Sequence, residues 1–218
     1  MFTQEYIAFF DDLKQNNTRD WFNEHKKRYE NAVKKPFQAF IQQLIDQIQI
    51  TDPDILIAPK DAIFRINRDI RFSKDKTPYK MQMSAAISKN GKKGSTTPGL
   101  YIAIGADEVY LGSGAMSLNK DQLLAVRQHI INNQDAFQDI IESEDFKDTF
   151  GEVQGEKNKR LPSEMAEAAQ EQALLYNKQF LAATKWEAER MLSPEFVEET
   201  ISCYKKMRPF GVFLGEVL

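Results

Sequence analysis

The chain has 218 residues, of which 42% are hydrophobic, 11% aromatic and 28% charged, so it carries enough apolar side chains for a core without disulfide or metal staples. A single cysteine, Cys203, excludes an internal bridge, and no apolar run approaches the roughly 18–20 residues of a bilayer-spanning helix. The formal net charge of −3 hides a segregation: Lys60 to Lys93 holds ten Lys and Arg against Asp61, Asp69 and Asp75, a local +7, which leaves −10 for the rest. A pI of about 5.6 argues against a coat of nucleic acid over the whole protein, but it permits a focused anion site.

Length and spacing predict a single α+β domain spanning 1–218: a helical part over 1–50, a central, mainly antiparallel sheet of four or more strands over 55–115, and helices with one or two short strands over 117–218. The N-terminal MFTQEYIAFF lacks the basic and long apolar regions of a secretory leader, which, with the Lys- and Glu-rich composition, predicts a cytoplasmic protein with no membrane partner.

Phe2, Tyr6, Phe9, Phe10 and Leu13 recur at helical spacing after Thr3, an N-cap residue type. Asn16-Asn17 ends that element, and Thr18 is placed to cap a second helix whose stripe is Trp21, His25 and Tyr29. Lys35-Pro36 reads as a break, because the residue before proline is pushed out of the α region; a third helix then follows with Phe37, Phe40, Ile41, Leu44 and Ile48 inward. From Thr51 the apolar period falls towards two, with strands expected at 62–67, 82–88, 99–104 and 108–112. Gly105-Ala106-Asp107 reads as a hairpin loop in which the glycine supplies a positive φ. Lys89 to Pro98 has the composition of a solvated loop.

Beyond the sheet, Ser117 or Asn119 can cap a helix carrying Leu123, Leu124, Val126, Ile130 and Ile131. Further helices are expected over 134–149, 164–178 and 194–207, with a strand at 179–186.

The segment Arg65 to Lys80 concentrates the chemistry. It packs Arg65, Arg68, Arg71, Lys74, Lys76 and Lys80 beside Asp69 and Asp75. A strand here would set Arg65, Asn67, Asp69 and Arg71 on one face. Guanidinium groups grip phosphate or carboxylate through two parallel donors, so Arg65, Arg68 and Arg71 are candidate anion clamps, with Lys76, Tyr79 and Lys80 as further donors. Were a reaction to occur, Asp69 or Asp75 would be the base and Tyr79 or Lys76 the acid. The competing readings are a structural ion-pair network with no ligand, and nucleic-acid binding with Phe72, Tyr79 and Tyr101 stacking on bases. Gly112-Ser113-Gly114 before a helix reads as a turn whose glycines, Gly112 and Gly114, could admit an anion at the following N–H groups, although its spacing matches neither the phosphate-loop nor the dinucleotide pattern. No cofactor motif and no metal-ligand spacing occurs, and His25 on its apolar stripe reads as a packed residue.

Three stretches together carry a resemblance: Asn16-Asn17-Thr18-Arg19-Asp20-Trp21-Phe22 with Tyr29, the run Arg65-x-x-Arg68-Asp69-Ile70-Arg71-Phe72-Ser73-x-Asp75-Lys76-Thr77-Pro78-Tyr79-Lys80, and Gly112-x-Gly114. In these the chain resembles the bacterial and fungal family called domain of unknown function 2461 over nearly its whole length. The resemblance implies a shared fold and a shared use for these positions, and no known activity.

Overall fold

The computed structural model describes residues 1–94 and 96–218. Amphipathic spacing produces the expected N-terminal helices: α1 (Gln4–Gln15) buries Tyr6, Ile7, Phe9, Phe10 and Leu13, and the Thr18 hydroxyl accepts the Trp21 N–H to start α2 (Arg19–Glu24). Thr3 precedes α1 in extended conformation without a side-chain cap. His25 stacks on Trp21 with ring centres 4.1 Å apart, and a single turn, α3 (Lys26–Arg28), follows.

Lys35-Pro36 does not break the chain. A π-helical stretch at Tyr29–Lys34 runs straight into α4 (Lys35–Thr51), with Lys35 in the α region and its N–H bonded to the Glu30 carbonyl five residues back. Proline has no N–H to donate and its ring crowds the carbonyl four residues earlier, so one widened turn ahead of it keeps the helix going. Phe37, Phe40, Ile41, Leu44, Ile45 and Ile48 are buried on α4.

After a helical turn, α5 (Pro59–Ala62), four antiparallel strands form one sheet in the order β1 (Gln82–Ile87), β2 (Leu100–Gly105), β3 (Glu108–Ala115) and β4 (Phe180–Glu187). The fold is α+β with a helical N-terminal region. The strand expected at 62–67 is absent: only the isolated bridges Ile63↔Ala85 and Asn67↔Tyr79 occur there. Four steps along one segment answer six on the other, so the register slips and no ladder can propagate. Gly105 is the last residue of β2 without a positive φ; a Cβ there would lie 3.0 Å from the Met81 carbonyl oxygen, so close approach explains the glycine. The turn expected at Gly112–Gly114 is strand instead. At Gly114, φ is +136° and a Cβ would meet the Phe180 carbonyl oxygen at 2.0 Å, so β3 continues because its neighbour needs a residue without a side chain. The expected loop at Lys89 to Pro98 contains a 3₁₀ turn at Gly91–Lys93, and its Ser95 lies outside the described residues.

Asn119 and Gln122 form a reciprocal capping box that opens α6 (Lys120–Asn132). The single helix expected over 134–149 is two, α7 (Gln134–Glu142) and α8 (Glu144–Phe150), because Ser143 turns out of the α region and its hydroxyl accepts the Phe146 N–H. The helix expected over 164–178 is a series of short pieces, among them α9 (Ala168–Glu171). The last helix, α10 (Phe196–Gly215), extends through Pro209, well past the expected end.

The described chain groups into two compact units. Unit 1 comprises Met1–Lys92, Tyr101–Leu111 and Lys185–Ile201; unit 2 comprises Lys93–Leu100, Gly112–Thr184 and Ser202–Leu218. Unit 1 centres on an aromatic cluster in which Phe2 meets Tyr6, Phe40 and Phe196, and Phe9 meets Phe22 and Tyr29. The Tyr6 hydroxyl, fully buried, donates to the Ile104 carbonyl at 3.0 Å and ties α1 to β2. Unit 2 centres on Phe137, Phe146, Phe210 and Phe213. Among the described residues no helix is long and apolar enough to cross a membrane.

Candidate functional site

The Arg65–Lys80 segment belongs to unit 1 and is a loop with a short paired base. Three backbone bonds close the base, Phe64 N–H to Ser84, Lys80 N–H to Ile66 and Arg68 N–H to Pro78, each 2.9 Å. Asn17 completes it: its amide donates to the Tyr79 carbonyl at 3.0 Å and accepts the Tyr79 N–H at 3.1 Å. The Tyr79 ring stacks on Phe22 with centroids 3.9 Å apart, and the residue is only 6% exposed. The Tyr79 ring is thus part of the core.

Above this base the charges pair locally. The Arg68 guanidinium donates to the Asp75 carboxylate and to the Thr77 hydroxyl, and reaches Ser73 Oγ at 3.4 Å. Asp75 also accepts the Thr77 N–H at 2.9 Å, which holds its carboxyl down at about 2. Arg71 grips Asp69 with a two-pronged contact of 2.9 and 2.6 Å. That guanidinium, aided by the Arg71 backbone N–H, holds the Asp69 carboxyl at about 2 as well. Lys76 donates to the Ile70 carbonyl at 2.9 Å. The tip is open: Phe72 is 95% exposed, with the Arg71 guanidinium 5.9 Å from its ring centre.

Among the described residues Arg65, Lys74 and Lys80 make no side-chain hydrogen bond and no ion pair, although the charge of Arg65 helps to depress the Asp69 carboxyl. Arg65 and Lys80 are set apart from Lys74 by acting on each other. The Lys80 ammonium sits 5.4 Å from the centre of the Phe64 ring, and its pKa is pushed down first by burial and then by the charge of Arg65. Phe64 continues into a short aromatic row with Tyr101 at 6.3 Å, which in turn meets Tyr110 at 5.9 Å. The result is a pair of neighbouring cations beside an aromatic surface. The glycines Gly112 and Gly114 belong to β3 in unit 2. No group of three or more His, Cys, Asp and Glu side chains suited to a metal ion occurs among the described residues.

The family model for "Conserved hypothetical protein (DUF2461)" matches residues 5–213. The chain belongs to the DUF2461 family. No curated protein and no solved structure shows significant similarity to it. The match takes in Asn17, the Arg65–Lys80 loop and both units of this DUF2461 protein. Of the residues that shape the loop, Phe64 is missing from the candidates read from sequence, and Asn17 enters there only through the family resemblance. An asparagine within a run of polar residues gives no sign that it grips a peptide 62 positions away. Phe64 at least carried a signal, as an aromatic next to the first cation of the cluster.

Proposed function

We propose that this protein binds a small phosphate- or carboxylate-bearing ligand at Arg65 and Lys80, with Phe64, Tyr101 and Tyr110 as the adjoining apolar wall. The observation that carries this reading is the nearness of two cations, neither of them hydrogen-bonded or ion-paired to a carboxylate among the described residues, with Lys80 half-buried and feeling the charge of Arg65. Holding a half-buried ammonium next to a guanidinium is unfavourable, and an anion between them reverses the sign of that interaction. Arg68 and Arg71, occupied by Asp75 and Asp69, shape the loop; Arg71 is exposed, and a surface pair of this kind is weak enough to exchange its carboxylate for a ligand oxygen. Binding without turnover is favoured, since carboxylates held at about 2 are poor bases at neutral pH.

Inorganic phosphate is the probe. Thermal unfolding and calorimetric titration of the wild type should show saturable binding, and Arg65→Ala should weaken it about tenfold or more, about 1.4 kcal/mol, with the phosphate-free Tm moved by no more than about 2 °C. An equal phosphate response in wild type and Arg65→Ala would remove the site.

The exposed Phe72 beneath Arg71 favours a second reading, single-stranded nucleic acid. Oligonucleotide affinity that falls steeply with salt and drops in Phe72→Ala would support it; a flat response at low ionic strength would end it.

A further inference from the structure

The row of Phe64, Tyr101 and Tyr110 begins at the Arg65–Lys80 pair and ends at charges of both signs. Side chains alternate across a strand, and the rings of Tyr101 on β2 and Tyr110 on β3, 5.9 Å apart and inclined at 70°, meet on one side of the sheet. Phe64 meets Tyr101 at 6.3 Å and 59°, and the Lys80 ammonium lies 5.4 Å from the Phe64 ring centre. At the far end, Lys185 of β4 donates to Glu108 of β3 at 2.8 Å, and the charges of both act on the Tyr110 phenol. All of these residues belong to unit 1.

Phe64, Tyr101 and Tyr110 are each only partly buried, so their rings border solvent. An edge-to-face contact occupies the face of one ring only, and neither contact in the row is a parallel stack. A bare anion would use one end of this surface and leave the rings wet. A ligand that joins an anion to a planar ring uses its whole length, because flat aromatic side chains take up a base without needing a closed pocket. Lys185 and Glu108, 61% and 41% exposed, then supply a donor and an acceptor for the edge of that ring, since an exposed ion pair is weak enough to turn towards a ligand. A nucleobase, whose edge carries both kinds of group, suits that end.

We propose that the ligand of the Arg65–Lys80 site is a nucleoside monophosphate, with its phosphate at the two cations and its base on Tyr101 and Tyr110. This rests on the reading of Arg65 and Lys80 as an anion pair, and adds the aromatic half of the ligand.

Calorimetric titration with inorganic phosphate, ribose 5-phosphate and adenosine 5′-monophosphate separates the two halves. The wild type should bind the nucleotide about tenfold or more tightly than ribose 5-phosphate. Tyr101→Ala should erase that preference and leave the affinity for inorganic phosphate unchanged, while Tyr101→Phe keeps it. Equal wild-type affinities for the two ribose phosphates, with phosphate binding still weakened in Arg65→Ala, would overturn the nucleotide and leave the anion pair standing. A preference that survives Tyr101→Ala would overturn it as well, and phosphate binding indifferent to Arg65→Ala would remove both readings. If Tyr101→Ala does not fold, wild-type crystals soaked in the nucleotide decide: a base stacked on Tyr101 supports the proposal, and a base placed anywhere else, or none, overturns it.

Discussion

Asp69 and Asp75 show how a cation-rich stretch organises itself before any ligand arrives. Each carboxylate sits two residues from the backbone N–H it accepts, Arg71 for Asp69 and Thr77 for Asp75, so two short turns fold the loop onto its own arginines. The pH dependence follows from the depressed carboxyl values. A carboxylate whose pKa falls from 3.8 to about 2 on folding stabilises the ordered loop above pH 3.8, and that contribution is lost as pH falls through about 2. Carboxyl carbon shifts followed by NMR should place both midpoints near 2, with the Thr77 amide resonance moving together with Asp75. Midpoints near 4 would mean that the pairing with Arg71 and Arg68 is not maintained in solution.

The sequence revealed the residue types of this site and their neighbourhood, but not their pairing. Whether Arg68 or Arg65 lacks a partner depends on where Asp75 and Thr77 come back in the loop, and that is set by the bonds at its base. Arg127 is buried on α6, the same helix as the apolar residues Val126 and Ile130, and its bond to the Asn177 carbonyl, 50 residues away, exists only in the folded chain.

At the scale of elements, features governed by local periodicity were readable and features governed by partners were not. The apolar spacing of α1 and α4 and the Asn119 cap are local. The register slip at Ile63 to Asn67 belongs to two segments jointly, and the continuation of β3 through Gly112-Ser113-Gly114 is dictated by the nearness of β4. Two glycines so close together look like a turn when the neighbouring main chain is unseen. Gly114→Ala tests this: with φ at +136° and a carbonyl oxygen 2.0 Å from the new Cβ, the strands must part, at a cost of about 2–4 kcal/mol in urea unfolding. A loss below about 0.5 kcal/mol would show that the strand contact is looser than described.

For the molecule as a whole, the segregated charge and the buried tyrosines make separate demands on solution conditions. Positive charge is gathered in one segment of an otherwise acidic chain, so binding at the Arg65–Lys80 pair should weaken with ionic strength even though the protein is anionic overall. Burial raises the Tyr6 phenol well above its ordinary 10 and moves Tyr29 up to about 12. Groups whose folded pKa is raised stabilise the fold fully below the unfolded value, near 10, and that stability drains away as pH climbs through about 12. Tyrosinate absorbance should therefore show at least two of the seven tyrosines ionising only as far-UV ellipticity collapses, above pH 11. Ionisation of all seven in one step near pH 10, with the helices intact, would contradict the packing of unit 1.

The grip of Asn17 on the peptide of Tyr79 has a consequence for variation. A side chain that presents one N–H and one C=O to another residue's main chain imitates a neighbouring strand, and it reads the backbone without regard to the ring attached there. Position 79 can exchange one aromatic for another, whereas position 17 tolerates no isostere: aspartate, alike in size, would set lone pairs against a carbonyl oxygen and let the root of the loop come undone.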